Sequence, residues 1–199
     1  MLELNRISAG YGKQTVLDGI SVDFEKGKLT SIIGVNGCGK STLLKAILGI
    51  LSLSNGEIFI DGENLLTISR NEIAKKIAYL SQGKNIPDMT VEQMVLHGRF
   101  PYLSYPRRYS SHDREVAIKA METVGVAEFA HKPLYSLSGG MRQNAYIAMA
   151  LAQDTDYILL DEPTTYLDIA HQLELMRLLK QLSDNGKGIV TVMHDLPLA

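Results

Sequence analysis

Leu29-Thr30-Ser31-Ile32-Ile33-Gly34-Val35-Asn36-Gly37-Cys38-Gly39-Lys40-Ser41-Thr42, followed by Leu43-Leu44-Lys45-Ala46-Ile47-Leu48, is the stretch that decides the reading of the chain. An apolar run rich in β-branched residues leads into a glycine-rich turn, and a helical pattern starts near Lys40. Gly34 to Ser41 fits G-x-x-x-x-G-K-[ST], the P-loop pattern. Glycines let the backbone wrap an oxyanion without Cβ clashes, and the amides of the turn and first helical turn point at one spot. Lys40 adds a positive charge for β- and γ-phosphates, and the Ser41 hydroxyl suits Mg²⁺. The alternative is a chance glycine turn. The strand pattern before it and the helix pattern after it decide for a nucleotide phosphate site, built from Gly34, Val35, Asn36, Gly37, Cys38, Gly39, Lys40, Ser41 and Thr42.

The rest of the composition sets bounds on that site's owner. At 199 residues the chain is one domain with room for a subdomain and a proper core. Its 45% hydrophobic and 21% charged residues are ordinary for a globular protein. A net charge of -2, with no basic cluster longer than a pair such as Arg107-Arg108, gives no electrostatic footprint for nucleic acid. The single cysteine forms no internal disulfide and metal-type Cys/His spacing is absent, which suits a reducing cytosol. No apolar run approaches a membrane span, and Met1 to Lys13 lacks the core of a signal peptide. The expectation is a soluble, cytoplasmic chain that reaches a membrane only through a partner.

Along the chain, Leu2, Leu4 and Ile7 suggest an opening strand, and Val16 to Phe24 a second one. Glu25 to Lys28 reads as a hairpin-like turn into the P-loop strand, and Ser52 to Gly56 as a loop. Short strands are expected at Glu57 to Ile60 and Ile77 to Leu80, with a helical turn or two over Asn71 to Lys76. From about residue 85 to 152 the texture becomes helical. Thr90 and Gln93 form a capping box, and Arg99 to Ser110 reads as an exposed loop. A helix to Val124 presents Val116, Ile118 and Met121, and a further helix runs from Gly140 to Leu151. The strand Tyr157 to Asp161, a helix over Asp168 to Ser183, and the strand Ile189 to Met193 then resume the frame. Strands alternating with helices predict an α/β fold with a mostly parallel sheet and its chemistry at the carboxyl ends of the strands. The division expected is an α/β core over 1–84 and 153–199, with a helical subdomain over 85–152.

Four groups fall at those strand ends. Asp161-Glu162 follows four apolar residues, as a Walker B strand end does, with Asp161 placed to hold Mg²⁺ through water and Glu162 to polarise an attacking water. Ending a strand and capping the next element is its plain reading. Gln82 and His194 also end strands, where either residue is commonly structural. Convergence with Gly34 around one phosphate chain is what favours function for all of them. Leu137-Ser138-Gly139-Gly140 opens a second helix, read either as an anion site or as an ordinary serine cap with glycines.

Taken in order and spacing, these motifs resemble the nucleotide-binding domain of an ATP-binding cassette (ABC) transporter over almost the whole chain. Gly34 to Thr42 is similar to its Walker A motif and Gln82 to its Q-loop. Leu137 to Gln143 corresponds to the signature, Tyr157 to Glu162 to Walker B, Thr165 to Asp168 to the D-loop and His194 to the switch histidine. Tyr11 resembles the aromatic that stacks on adenine; from its own context it reads as a core or edge aromatic. The resemblance implies a P-loop NTPase core with a small antiparallel β subdomain and an inserted helical one. It implies ATP and Mg²⁺ as cofactors, with Mg²⁺ at Ser41, Gln82 and Asp161. Catalysis would rest on Glu162, His194, Gln82 and Lys40. Two copies would pack head to tail, Ser138, Gly139 and Gly140 of one closing on ATP held by Lys40 of the other, and the cycle would drive an integral-membrane permease. His97 to Leu103, Ser138 to Gln153 and Asp161 to Gln172 look like importers of the bacterial iron-siderophore, haem and cobalamin type, which adds a substrate-binding protein as an indirect partner.

The chain departs from that family at several points. Met141 stands where glutamine is usual, Val35 where proline is frequent, Asn144 where a basic residue is common and Pro197 where asparagine is common. It also stops at Ala199, where relatives continue with further strands and a helix, so a shortened form is expected. A soluble ABC ATPase outside transport and a nucleotide-binding module without turnover are the competing functions. The loop after the Q-loop favours the importer over the first, and Glu162 with His194 argues against the second. Cys38 reads as a small residue that fits the turn.

Overall fold

A computed structural model describes residues 1–82, 86–165 and 167–193. In chain order the strands and helices are β1 (Leu2–Tyr11), β2 (Gln14–Phe24), β3 (Leu29–Ile33), α1 (Lys40–Ile47), β4 (Leu53–Ile60), β5 (Glu63–Asn64), α2 (Arg70–Lys76) and β6 (Ile77–Leu80). They continue with α3 (Val91–Leu96), α4 (Ser111–Thr123), α5 (Gly139–Ala152), β7 (Tyr157–Asp161), α6 (Ile169–Asp184) and β8 (Gly188–Met193).

Two sheets form. One is antiparallel with order β2-β1-β4-β5, and the other is parallel with order β3-β8-β7-β6. The turn at Glu25 to Lys28 is therefore not a hairpin. It carries the chain from one sheet to the other, because β3 finds its partner in β8, Leu29 opposite Ile189 and Ile33 opposite Met193. Nor is Ser52 to Gly56 a loop, since β4 begins at Leu53. Gly56 marks a bulge there, at φ 85, where a Cβ would lie 2.4 Å from the Arg6 carbonyl oxygen.

The parallel sheet separates two apolar clusters, and the pleat decides which side chain serves which. Ile158 and Leu160 of β7, with Ala78 and Leu80 of β6, face a cluster shared with α3, α4, α5 and α6. Tyr157 and Leu159 face the other cluster, which joins α1 to Leu2, Leu4, Ile58 and Ile60 of the antiparallel sheet. Strands buried on both faces read as continuous apolar runs, and all five residues of β7 are buried.

Within the helical region the capping box at Thr90 and Gln93 forms as expected. The buried side of α4 is Asp113, Ala117, Ala120 and Met121, whereas Ile118 is about half exposed and Val116 packs at the margin. Arg99 to Ser110 is not uniformly an exposed loop. His97 to Tyr102 winds into a 3₁₀ turn that buries Arg99 to 4% exposure. The guanidinium Nε donates to Asp113 Oδ1 at 2.9 Å and Nη1 to the Ala152 carbonyl at 3.0 Å, so both charges have partners. Among the described residues, no helix is long and apolar enough to cross a membrane.

Candidate active site

The parallel sheet brings its carboxyl ends to one edge, and of the groups expected there Gly34, Gln82 and Asp161-Glu162 lie among the described residues and arrive together. β3 ends at Ile33 and passes through the glycine-rich turn into α1. Gly37 and Gly39 hold φ of 78 and 103, a region that L side chains rarely adopt, and Gly39 is the N-cap of α1. A Cβ on Gly39 would also lie 3.0 Å from Val16 Cγ1, so the β1–β2 hairpin sits tightly against the start of α1. The first amides of α1 have no intrahelical acceptor and are aimed out of the helix end.

The Lys40 ammonium folds back over this turn. It donates to the carbonyl oxygens of Gly34 at 2.6 Å and Val35 at 2.9 Å, and lies 3.9 Å from Cys38 Sγ. Ser41 Oγ donates to Asp161 Oδ1 at 3.0 Å, joining the P-loop helix to the end of β7. Asp161 is only 4% exposed, and the hydroxyl of Tyr79 on β6 donates to its second oxygen at 3.3 Å. Burial first, and then the Asp161 charge, push the Tyr79 phenol well above its ordinary value, so it stays a proton donor.

Glu162 leaves the strand in a left-handed conformation, φ 51, while its N–H donates to the Val192 carbonyl at 3.1 Å. A non-glycine residue held there stores strain, which clusters at functional sites. The twist carries its carboxylate away from β7, where Gln82 Nε2 donates to Oε2 and Thr165 Oγ1 donates to the same oxygen at 3.3 Å.

Asn36, Gly37, Gly39, Lys40, Ser41, Thr42, Gln82, Glu162 and Thr165 line a single open cleft of about 510 Å³. Gly34 and Val35 are not among the lining residues and meet the site through the carbonyls that hold Lys40, and Cys38 is exposed on the turn. Tyr11 ends β1 half exposed and is not among the cleft-lining residues. Ser138, Gly139 and Gly140 lie elsewhere, where the Ser138 hydroxyl accepts from the Met141 amide at 3.3 Å and caps α5. Gly139 borders a second depression of about 290 Å³ that shares Gln82, Glu162 and Thr165 with the first. The expected position His194 lies outside the described residues. Sequence reasoning overlooked Tyr79, an aromatic in a strand that reads as core, and Thr165 as a partner of Glu162.

The donor set has the chemistry of a nucleotide site. A helix start with glycine amides and an ammonium suits a phosphate chain. A hydroxyl and a buried carboxylate oxygen 3.0 Å apart at its edge suit a hard divalent cation such as Mg²⁺, which takes oxygen ligands and keeps several waters. Among the described residues, no group of three or more His, Cys, Asp or Glu side chains is placed to hold a metal ion.

Known proteins resemble this chain in sequence and fold. A family profile described as ABC transporter matches residues 17–165. The petrobactin import ATP-binding protein FpuD of Bacillus anthracis is 44% identical over 200 residues, which is 100% of this chain and 73% of that protein. The iron(3+)-hydroxamate import ATP-binding protein FhuC of Bacillus subtilis (strain 168) is 44% identical over 98% of this chain and 73% of its own length. Among solved structures, the dimeric structure of a bacterial ABC transporter cassette matches with a TM-score of 0.84 at 30% identity, over 100% of this chain and 90% of that one. With a P-loop, a Walker B strand end and the family profile all in register, the chain belongs to the ABC transporter family and is one of its ATP-binding cassettes.

Proposed function

We propose that the chain is the ATP-hydrolysing subunit of an importer for iron-siderophores or related metal chelates. The observation that carries hydrolysis is the meeting of Gln82 and Thr165 on the Glu162 carboxylate at the mouth of the cleft that Lys40 and Ser41 line. The cargo class rests on the relatives, FpuD and FhuC, whose names specify petrobactin and iron(3+)-hydroxamate import.

In this reading the turn from Gly34 to Gly39 and the first amides of α1 grip the β- and γ-phosphates of ATP. The Lys40 ammonium transfers from the Gly34 and Val35 carbonyls to phosphate oxygens. Ser41, Asp161 and Gln82 would hold Mg²⁺, which neutralises charge on the phosphates when bound. Glu162 accepts a hydrogen bond from the attacking water and orients it in line with the γ-phosphate; Gln82 and Thr165 fix the carboxylate. His194, the residue after β8 in sequence, is assigned a catalytic part from the family resemblance alone. Tyr11, at the hairpin that presses on Gly39, is assigned to the adenine.

The signature residues Ser138, Gly139 and Gly140 open α5 away from the cleft lined by Lys40, so they would complete the site of a second copy. That places ATP between two amide-rich helix starts in a head-to-tail dimer, in keeping with the dimeric cassette of the same fold. The dimer would work on a membrane permease, holding the chain at the inner face of the membrane, with a substrate-binding protein on the far side. Residues 1–84 and 153–199 would form the nucleotide core and 85–152 the helical unit that carries the signature.

The test is Glu162→Gln. Phosphate release should fall by at least about a hundredfold, the scale of losing a general base, while ATP binding persists and a dimer accumulates on size exclusion with ATP. Hydrolysis at the parent rate would refute the role given to Glu162. Co-purification with a polytopic membrane protein tests the transport half, and exclusively soluble partners would overturn it.

A further inference from the structure

We infer that His171 is a positioning residue that locks the signature turn to the segment following Glu162, an inference that rests on the dimeric ATPase reading above. His171 lies in the first turn of α6, where Asp168 is the N-cap and accepts from the His171 amide at 2.9 Å. The imidazole Nδ1 is 2.8 Å from the same Asp168 oxygen, which fixes the ring. Its opposite edge is pressed against Gly140. A methyl group on Gly140 would lie 2.3 Å from His171 Cδ2 and 2.8 Å from Nε2.

The reason for a glycine at position 140 is therefore particular. It does not hold a left-handed φ, and the three atoms nearest to an added Cβ all belong to the His171 imidazole, so the ring is what a side chain would meet first. Gly140 is also buried, in the first turn of the helix that Ser138 caps, so a displaced ring would displace the helix start and its amides. On the other side, Gln172 Nε2 donates to the Leu167 carbonyl at 3.0 Å, and the Thr165 amide and hydroxyl both bond Glu162. One helical turn thus touches the segment that positions Glu162 and the turn that would meet the partner's ATP. A packed contact of this kind holds the two segments in fixed relation, so that a shift of one would be felt by the other.

The experiment compares His171→Ala, Gly140→Ala and the double variant. ATP affinity of each monomer, read with a fluorescent ATP analogue, should stay within about twofold of the parent, since the phosphate grip is on α1. His171→Ala should lower kcat and ATP-driven dimerisation about tenfold with KM little changed, and Gly140→Ala should lower them further. The deciding result is the double variant. Removing the imidazole makes room for the methyl, so it should recover about fivefold or more over Gly140→Ala, the scale of coupling between residues in contact. A purely structural role would lower the unfolding midpoint of His171→Ala in step with its kcat, whereas a positioning role lowers kcat and dimerisation with the midpoint within about 2 °C of the parent. Additive losses, or parent kcat and dimerisation in His171→Ala, would overturn the inference while leaving the ATPase reading intact. A parent protein without ATP-driven dimerisation would remove that reading and the inference with it.

Discussion

At the scale of single residues, the Lys40 ammonium already has two carbonyl partners, Gly34 and Val35, and is 8% exposed. The turn is thereby preorganised around a cation, and phosphate oxygens have only to replace two neutral acceptors. Charge-assisted bonds to phosphate are the stronger ones. Lys40→Ala should weaken ATP binding by about tenfold or more, the scale of one charge-assisted hydrogen bond, and titration calorimetry with unchanged affinity would contradict it. Tyr79 makes the complementary case. Its folded value is raised above the ordinary one, so its contribution is complete below about pH 10 and is lost only as the pH climbs through the folded value. Tyr79→Phe should therefore cost about 1 kcal/mol of stability throughout the neutral range, and the Mg²⁺ concentration for half-maximal hydrolysis should rise several-fold as Asp161 loses its tether. Lys40, Ser41 and Asp161 were legible because local spacing encodes them. Tyr79 was not, since its partner lies on the neighbouring strand, 82 residues away.

At the scale of elements, the 3₁₀ turn and α4 are fastened by a buried ion pair that the sequence concealed. Arg99 sits among Pro, Tyr and Arg residues that read as solvated, and nothing local shows that Asp113 will cover it. Burial raises the Asp113 carboxyl, but hydrogen bonds from Ser110 and the Arg99 guanidinium more than offset this, leaving it at about 2. A carboxyl depressed in the folded state stabilises above its unfolded value and loses that contribution as pH falls. The loss should run from about pH 4 down to about 2. Asp113→Asn leaves the guanidinium buried beside a neutral amide. It should cost about 3–5 kcal/mol at pH 7 and flatten the acid limb, as measured by denaturant unfolding between pH 7 and 2. A variant within about 0.5 kcal/mol of the parent would show that the pair is better solvated than its 5% and 9% side-chain exposures indicate. The helix faces follow the same lesson. α3 and its capping box were readable from periodicity, whereas the choice of Ala117 and Ala120 over Ile118 in α4 depends on how close α5 comes.

At the scale of the whole molecule, the parallel sheet was legible because βα alternation and apolar runs point to it, while the small antiparallel sheet was legible only through the family resemblance and not from the local pattern. A turn signal at Glu25 to Lys28 says that the chain reverses, but the strand that β3 joins is about 160 residues further on. No local pattern reports that distance. The same limit applies to the signature. Within one chain Ser138 opens a helix and is not among the residues that line the Lys40 cleft, so the role proposed for it needs a second copy. That arrangement has a consequence that a self-contained site lacks. Take Lys40→Ala, which keeps its signature, and Ser138→Arg, which keeps its phosphate grip; each homodimer should be inactive. In a head-to-tail heterodimer one site carries both lesions, but the other joins an intact Lys40 to an intact Ser138. Mixing the two inactive proteins with ATP should restore phosphate release, rising with the fraction of heterodimer. If the mixture stays as silent as its components while both variants remain folded, the site is not shared between two chains.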